Sequence, residues 1–152
     1  MMTGFELESS EFSNGQEIPK KYGYKNDNVN PPLAIKGVPP EAKSLTLIMD
    51  DPDAQAAVGK VWVHWVLSNI EPTIDEIPES FIPSGATDGK NDFGELGYGG
   101  PAPPDKRHTY IFKLYALDTK LELQKGATKA QVESAMEGHV IEQTILKGTF
   151  TP

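Results

Sequence analysis

Residues 60–70 read KVWVHWVLSNI, and this stretch gives the clearest indication of the fold. Side chains alternate between the two faces of a strand, and strict alternation divides this stretch into Val61, Val63, Trp65 and Leu67 on one face and Trp62, His64 and Val66 on the other. Both faces are predominantly apolar, so both are expected to be covered by other parts of the protein. The stretch therefore predicts a central strand.

Two further segments resemble it. Residues 44–50, SLTLIMD, alternate in the same way and run into the turn sequence DDPDA, which leaves Asp51 at the end of a strand. Residues 108–117, HTYIFKLYAL, place His108 and Tyr110 in one phase and predict another central strand.

Only one helix is indicated clearly. Thr128 and Gln131 have the spacing of a capping box, and Gly138 is a natural stop. Residues 139–150 then form a last strand-like stretch. Because the strands are mostly consecutive and the helix comes late, the pattern favours a mainly β fold, a β-sandwich with one or two short peripheral helices, and a single domain over residues 1–152.

The composition agrees with this class of fold and excludes several functions. Glycine (14) and proline (13) are abundant, as in turn-rich β proteins. A net charge of −8 argues against a nucleic-acid partner, and the absence of cysteine excludes disulfides and thiolate chemistry. With no apolar run approaching the roughly 20 residues of a membrane span and no basic, apolar start, a cytoplasmic location is expected.

Residues 84–106 form the most unusual segment, with six glycines and three prolines and no periodicity. Loops of this length in compact domains tend to be functional or disordered. Because Phe93, Leu96 and Tyr98 give the segment apolar side chains with which to dock, we expect an ordered binding loop.

The candidate chemistry lies in two histidines and the aspartates of the turn. His64 and His108 each admit two interpretations, a core histidine satisfied by one hydrogen bond or a ligand-binding group. The turn aspartates Asp51 and Asp53 can bond their own backbone, or one of them can orient an imidazole.

Familiar catalytic motifs are absent from the sequence: there is no G-x-S-x-G, no phosphate-binding P-loop, no dinucleotide fingerprint and no H-E-x-x-H. The aspartates and histidines include the ligand types of a divalent metal, but their spacing fixes no site. We therefore expect neither catalysis nor a cofactor or metal, and keep a metal-assisted hydrolase only as the least favoured alternative.

Four motifs taken in order, DDPDA, VWVHWVLSNI, NDFGELGYGGPAPP and RHTYIFKLYALD, resemble the phosphatidylethanolamine-binding protein family, in particular its compact bacterial and archaeal, Raf kinase inhibitor-like branch. The resemblance covers nearly the whole chain. It implies two antiparallel sheets with Greek-key-like connections and a small surface pocket that binds phosphate, phosphorylated head groups or carboxylates.

The resemblance also implies which residues bind the ligand. Carried over motif by motif, the pocket residues are Asp51, Asp53, Trp62, His64, Gly100, Pro101, His108 and Tyr110. We expect Asp51 to orient His64. The hydrogen-bond donors to the anion are then His64, Tyr110 and the N–H of Gly100. The walls are shaped by Trp62, Pro101 and His108. If a charged His64 is a donor, binding strengthens as the pH falls through about 6.5.

Two positions depart from the family pattern: Gln55 stands where a proline often follows DPDA, and Thr109 stands where the family usually has arginine, so we expect a less rigid pocket. The resulting expectation is a non-enzymatic binding protein whose partner is a small phosphorylated or carboxylated anion. The alternative is a regulator that inhibits a protein kinase or a serine protease. The compact relatives also suggest a homodimer.

Overall fold

The computed structural model describes residues 4–152, which are mostly strand and irregular structure. The elements in chain order are β1 (Glu6–Glu8), β2 (Gln16–Glu17), a 3-10 helix (Lys20–Tyr22), β3 (Leu33–Lys36), β4 (Ser44–Asp51), α1 (Ala54–Val58), β5 (Trp62–Ile70), β6 (Glu76–Ile77), β7 (Thr87–Asp88), β8 (His108–Leu117), α2 (Lys129–Met136) and β9 (Val140–Phe150). The predicted mainly β class is confirmed.

The strands form two sheets. The smaller has the order β1-β3-β6 and the larger the order β2-β9-β8-β4-β5-β7. All the pairings are antiparallel except that of β2 with β9, which is parallel. After β5 the chain returns by a long connection to place β8 beside β4, as the Greek-key-like prediction requires.

The core has two parts, one on each face of the larger sheet. Between the two sheets, Leu33 and Ile35 of β3 pack in one cluster with Trp65 and Phe112. On the outer face of the larger sheet, a second cluster is covered by α2, and its members include Ile48, Val66, Leu117, Val132 and Met136. Both faces of the central strands are therefore covered, as predicted.

The predicted alternation along β5 is wrong at one place, because the strand contains a β-bulge. The pairing with β4 passes from Met49↔Trp65 to Asp50↔Val63 and leaves His64 without an opposite residue. As a result Val63 packs with Val66 in the outer cluster, although strict alternation placed Val63 with Trp65. The bulge turns His64 towards Tyr110, and the two rings meet edge to face.

The helices are short and lie outside the sheets. α2 begins at the predicted capping box, in which Thr128 and Gln131 bond reciprocally. The sequence pattern did not distinguish α1, which follows the DDPD turn directly and ends at Gly59 in the left-handed region. Within residues 4–152, no helix is long and apolar enough to cross a membrane.

Candidate functional site

A cavity of about 210 Å³ lies where the carboxyl end of β4 meets the amino ends of β5 and β8. These ends meet because β4 is antiparallel to both of its neighbours. The cavity is lined by Asp51, Ala54, Val58, Trp62, His64, Phe93, Ala102, Pro104, His108 and Tyr110. Five of the eight predicted site residues are in this list, and Asp53, Gly100 and Pro101 are not.

A buried ion pair forms the base of the cavity. Nδ1 of His108 lies 2.6 Å from Oδ2 of Asp51, and neither side chain is more than 4% exposed. Nε2 of the same ring lies 2.7 Å from Oδ1 of Asp105 in the preceding loop. Burial alone would lower the pKa of His108, but the hydrogen bonds to Asp51 and Asp105 outweigh it and hold the pKa above its ordinary value.

The prediction that Asp51 orients His64 is therefore wrong, because this carboxylate holds His108. Its Oδ1 accepts a hydrogen bond from the backbone N–H of Asp53. Asp51 therefore does both things that the sequence left open, since it stabilises the turn and also orients an imidazole. β4 has a histidine-bearing strand on each side, and the carboxylate bonds to His108 of β8 and not to His64 of β5.

His64 is held by the loop instead. Its Nδ1 lies 2.7 Å from the carbonyl oxygen of Gly99, and because a carbonyl only accepts, Nδ1 carries the proton. Burial lowers the pKa of His64, and the bond to Gly99 and the charge of Asp51 offset this only in part. The lowered pKa favours the neutral form of His64, in which Nδ1 carries the ring proton.

Tyr110 places a buried hydroxyl in the wall. Within residues 4–152 no group meets this hydroxyl with full hydrogen-bond geometry, although the carboxylate of Asp51 and the backbone of Ala102 lie close to it. Burial and the nearby charge of Asp51 raise its pKa, so it stays protonated and is a donor at neutral pH. A buried donor without an acceptor destabilises the folded protein, and a ligand atom that accepts its hydrogen bond would remove that cost.

The three remaining predicted residues do not line the cavity. Asp53 accepts the backbone N–H of Thr109 at 2.8 Å, which ties the turn to β8. The N–H of Gly100 donates to Oδ1 of Asn28 at 2.7 Å, so the predicted role of this N–H in anion binding is wrong. Pro101 borders a neighbouring groove, and its carbonyl accepts from Tyr24.

The long loop is ordered and supplies much of the wall. Its Phe93 stacks on Tyr24 with the ring centroids 3.9 Å apart, and Tyr98 packs edge to face on Trp65. The prediction that Leu96 docks is wrong, since that side chain is 48% exposed. Phe93 is held by buried Asn91, whose Oδ1 accepts the N–H groups of Phe93 and Glu95.

Several wall residues carry no signal in the sequence. Ala54 and Val58 belong to a helix that was not foreseen, and Ala102 and Pro104 are ordinary loop residues. Asp105 could have been suggested by its spacing of three residues from His108, but such a pair is common by chance. Among residues 4–152, no group of three or more histidine or acidic side chains is arranged to hold a metal ion.

Together the fold and the cavity define a β-sandwich protein of the binding type. The family model described as phosphatidylethanolamine-binding protein matches residues 8–151. The chain belongs to this family, as the sequence motifs predicted.

Relatives and solved structures agree. A UPF0098 protein of Methanothermobacter thermautotrophicus is 47% identical over 149 residues, covering 95% of this chain and 97% of that protein. The phosphatidylethanolamine-binding protein homolog CT736 of Chlamydia trachomatis superposes with a TM-score of 0.91 at 42% identity, covering 97% of each chain. Escherichia coli YbcL superposes with a TM-score of 0.89 at 31% identity, covering 96% of this chain and 97% of that one.

Proposed function

We propose that this protein binds a small phosphorylated or carboxylated ligand in the cavity between α1, β5, β8 and the long loop, and that it does so without catalysing a reaction. Tyr110 donates a hydrogen bond to a ligand oxygen, His64 contacts a second ligand oxygen, and Trp62 and Phe93 enclose the rest of the ligand. The ion pair of Asp51 and His108 is the support beneath the site. A single domain over residues 1–152 is part of this proposal.

The observation that carries the proposal is the unpartnered hydroxyl of Tyr110. Tyr110 is fully buried, its hydroxyl has no partner at hydrogen-bond geometry within residues 4–152, and the residue lines a cavity with room for a small ligand. Leaving a buried donor unsatisfied costs about 1–3 kcal/mol, and a ligand oxygen would recover that free energy. An apolar enclosure with a few convergent polar groups is typical of small-molecule sites.

The buried acid and base groups support binding over catalysis. Both oxygens of Asp51 accept hydrogen bonds, and both nitrogens of His108 lie against carboxylates. His108 therefore has no ring nitrogen left to take a substrate proton, and Asp51 is engaged in holding His108 and the turn, which favours a supporting role for this pair over general-base catalysis. Inhibition of a kinase or a serine protease, homodimer formation and a cytoplasmic location stay predictions.

Replacing Tyr110 with phenylalanine tests the proposal. We expect the affinity for inorganic phosphate or methyl phosphate, measured by calorimetry, to fall by about 10- to 150-fold, the equivalent of one hydrogen bond to a charged acceptor. The melting temperature should not fall, because the lost hydroxyl has no partner within the described chain.

Tyr115→Phe is the matched control. Tyr115 is on the same strand but packs against the outer cluster, so its hydroxyl is remote from the cavity and its loss should leave the affinity unchanged. If Tyr110→Phe bound phosphate as tightly as the unmodified protein does, the hydroxyl would not contact the ligand and the proposal would be wrong.

A further inference from the structure

Two large apolar residues that follow one another in the chain, Phe81 and Ile82, are exposed. They are 55% and 38% exposed, respectively. Phe81 also borders a surface groove of about 430 Å³, whose lining includes Glu71, Ile74, Glu76, Pro78, Phe81 and Pro83. We call this groove, together with Phe81 and Ile82, the Phe81 surface. Single exposed apolar residues are ordinary, but an adjacent pair beside an apolar groove is typical of a contact site.

The backbone before Phe81 is fixed in an unusual conformation. Ser80 has a φ of +56°, in the left-handed region that a residue other than glycine seldom adopts. Its N–H donates to the carbonyl oxygen of Asn30 at 3.1 Å, and the side-chain amide of buried Asn30 donates to the carbonyl oxygen of Pro78 at 2.9 Å. Strained backbone persists only where the surrounding structure determines it, and it clusters at functional sites. The exposure of Phe81 is therefore a fixed feature of the fold.

The Phe81 surface is also acidic. Residues 61–89 contain five acidic residues and no lysine or arginine. Glu71 and Glu79 pair with lysines from other parts of the chain. Asp75 and Glu76 are exposed and have no ion-pair partner among residues 4–152. A partner with positive charge would therefore complement this surface.

The negative charge argues against two other occupants. A two-fold dimer through this surface would place the acidic side chains of both copies against each other, because such an interface pairs one patch with itself. A membrane with anionic lipids would be repelled by the same acidic side chains. A basic polypeptide with apolar side chains complements both the charge and the groove.

We infer that the Phe81 surface docks a basic segment of a partner protein, one in which large apolar side chains lie between lysines or arginines. The apolar side chains pack against Phe81, Ile74 and Pro78. The flanking cations reach Asp75 and Glu76. Because the groove shares no lining residue with the cavity of the candidate site, this inference goes beyond the proposed function and does not depend on it.

Two peptides of equal charge, acetyl-KKLFKK-amide and acetyl-KKSSKK-amide, are matched probes for this surface. Fluorescence anisotropy of the labelled peptides measures their affinities for the full chain. We expect the Leu-Phe peptide to bind at least about tenfold more tightly than the Ser-Ser peptide, because its large apolar side chains are removed from water in the groove. Added salt should weaken the binding of both peptides.

Phe81→Ser should remove most of this difference, since it deletes an apolar wall and leaves the acidic side chains in place. Glu76→Gln should weaken both peptides to a similar degree and reduce the effect of salt. Leu96→Ser is the control and should change neither affinity, because Leu96 is about as exposed as Phe81 but does not line the groove. A melting curve checks that each variant folds. If Phe81→Ser does not fold, the peptide preference of the unmodified protein decides the question.

The outcomes are distinct. A preference for the Leu-Phe peptide that is lost in Phe81→Ser and kept in Leu96→Ser would support the inference. Equal binding of the two peptides, binding of neither, or unchanged binding by Phe81→Ser would overturn it. Self-association of the unmodified protein that Phe81→Ser abolishes, measured by sedimentation, would assign the surface to a second copy of the chain and would also overturn it. Phosphate binding in the cavity is measured separately, so the failure of one proposal leaves the other standing.

Discussion

Asp51→Ala is expected to lower the free energy of unfolding by about 3–5 kcal/mol, the usual cost of removing one partner from a buried ion pair. The substitution leaves the buried ring of His108 without the carboxylate that its Nδ1 contacts at 2.6 Å. It also removes the acceptor for the backbone N–H of Asp53, and so loosens the turn that leads into α1. Urea unfolding followed by tryptophan fluorescence measures the loss.

The chain contains a matched control for this prediction. His139 and Asp118 form the same kind of pair at 2.8 Å, but their side chains are 46% and 53% exposed. Asp118→Ala should therefore cost less than about 1 kcal/mol. If the two substitutions were equally mild, the pair of Asp51 and His108 would not support the cavity as described.

The same pair predicts a dependence of stability on pH. Because the pKa of His108 is raised in the folded protein, its contribution is fully present below the unfolded value of about 6.5 and is lost as the pH rises through the folded pKa. The unmodified protein should lose stability over that interval, and Asp51→Ala should lose less. An identical loss in both proteins would contradict the assignment.

Gly100→Ala is the second substitution with a large expected effect, about 3 kcal/mol or more of unfolding free energy. A Cβ atom at this position would lie 2.0 Å from the carbonyl oxygen of Tyr22 and 2.9 Å from the backbone of Gly23 and Tyr24. These are backbone atoms, so no side-chain rotation relieves the overlap. The two segments would have to move apart, which would also break the bond from Gly100 to Asn28.

Gly85→Ala distinguishes this crowding from the general cost of replacing a glycine. A Cβ at Gly85 meets nothing within 4 Å, although the backbone has a φ of +87°. Left-handed backbone alone costs roughly 1–2 kcal/mol for an alanine. The melting temperature of Gly100→Ala should therefore be well below that of Gly85→Ala. The reverse order would show that the backbone segments around Gly100 can move apart at little cost.

Much of this fold could be predicted from the sequence. The third central strand has the predicted bounds, and the helix begins at its predicted capping box. These elements could be predicted because strong periodicity and a capping signal both depend only on residues that are close together in the sequence. The bulge at His64 could not be predicted, because it depends on how β5 pairs with β4, and it reverses the alternation on which the face assignment relied.

The sequence predicts which residues form the candidate site better than it predicts the contacts between them. Asp51, Trp62, His64, His108 and Tyr110 do line one cavity, but Asp51 bonds to the second histidine and not to the first. Which histidine it meets depends on how β4 pairs with the strand on each side, including the bulge in β5, and that pairing is a tertiary property. For the same reason Asp105 and the wall residues of α1 have no distinctive pattern in the sequence, whereas the long loop is marked by its glycines and prolines. Whether these residues bind a ligand stays a prediction.

The most direct test of the central claim is a crystal structure of the protein grown with saturating methyl phosphate. We expect the phosphoryl group inside the cavity, with one oxygen about 2.5–3.0 Å from the hydroxyl of Tyr110 and another within hydrogen-bond distance of Nε2 of His64. A ligand bound elsewhere on the protein, with only water between Tyr110 and His64, would contradict the account.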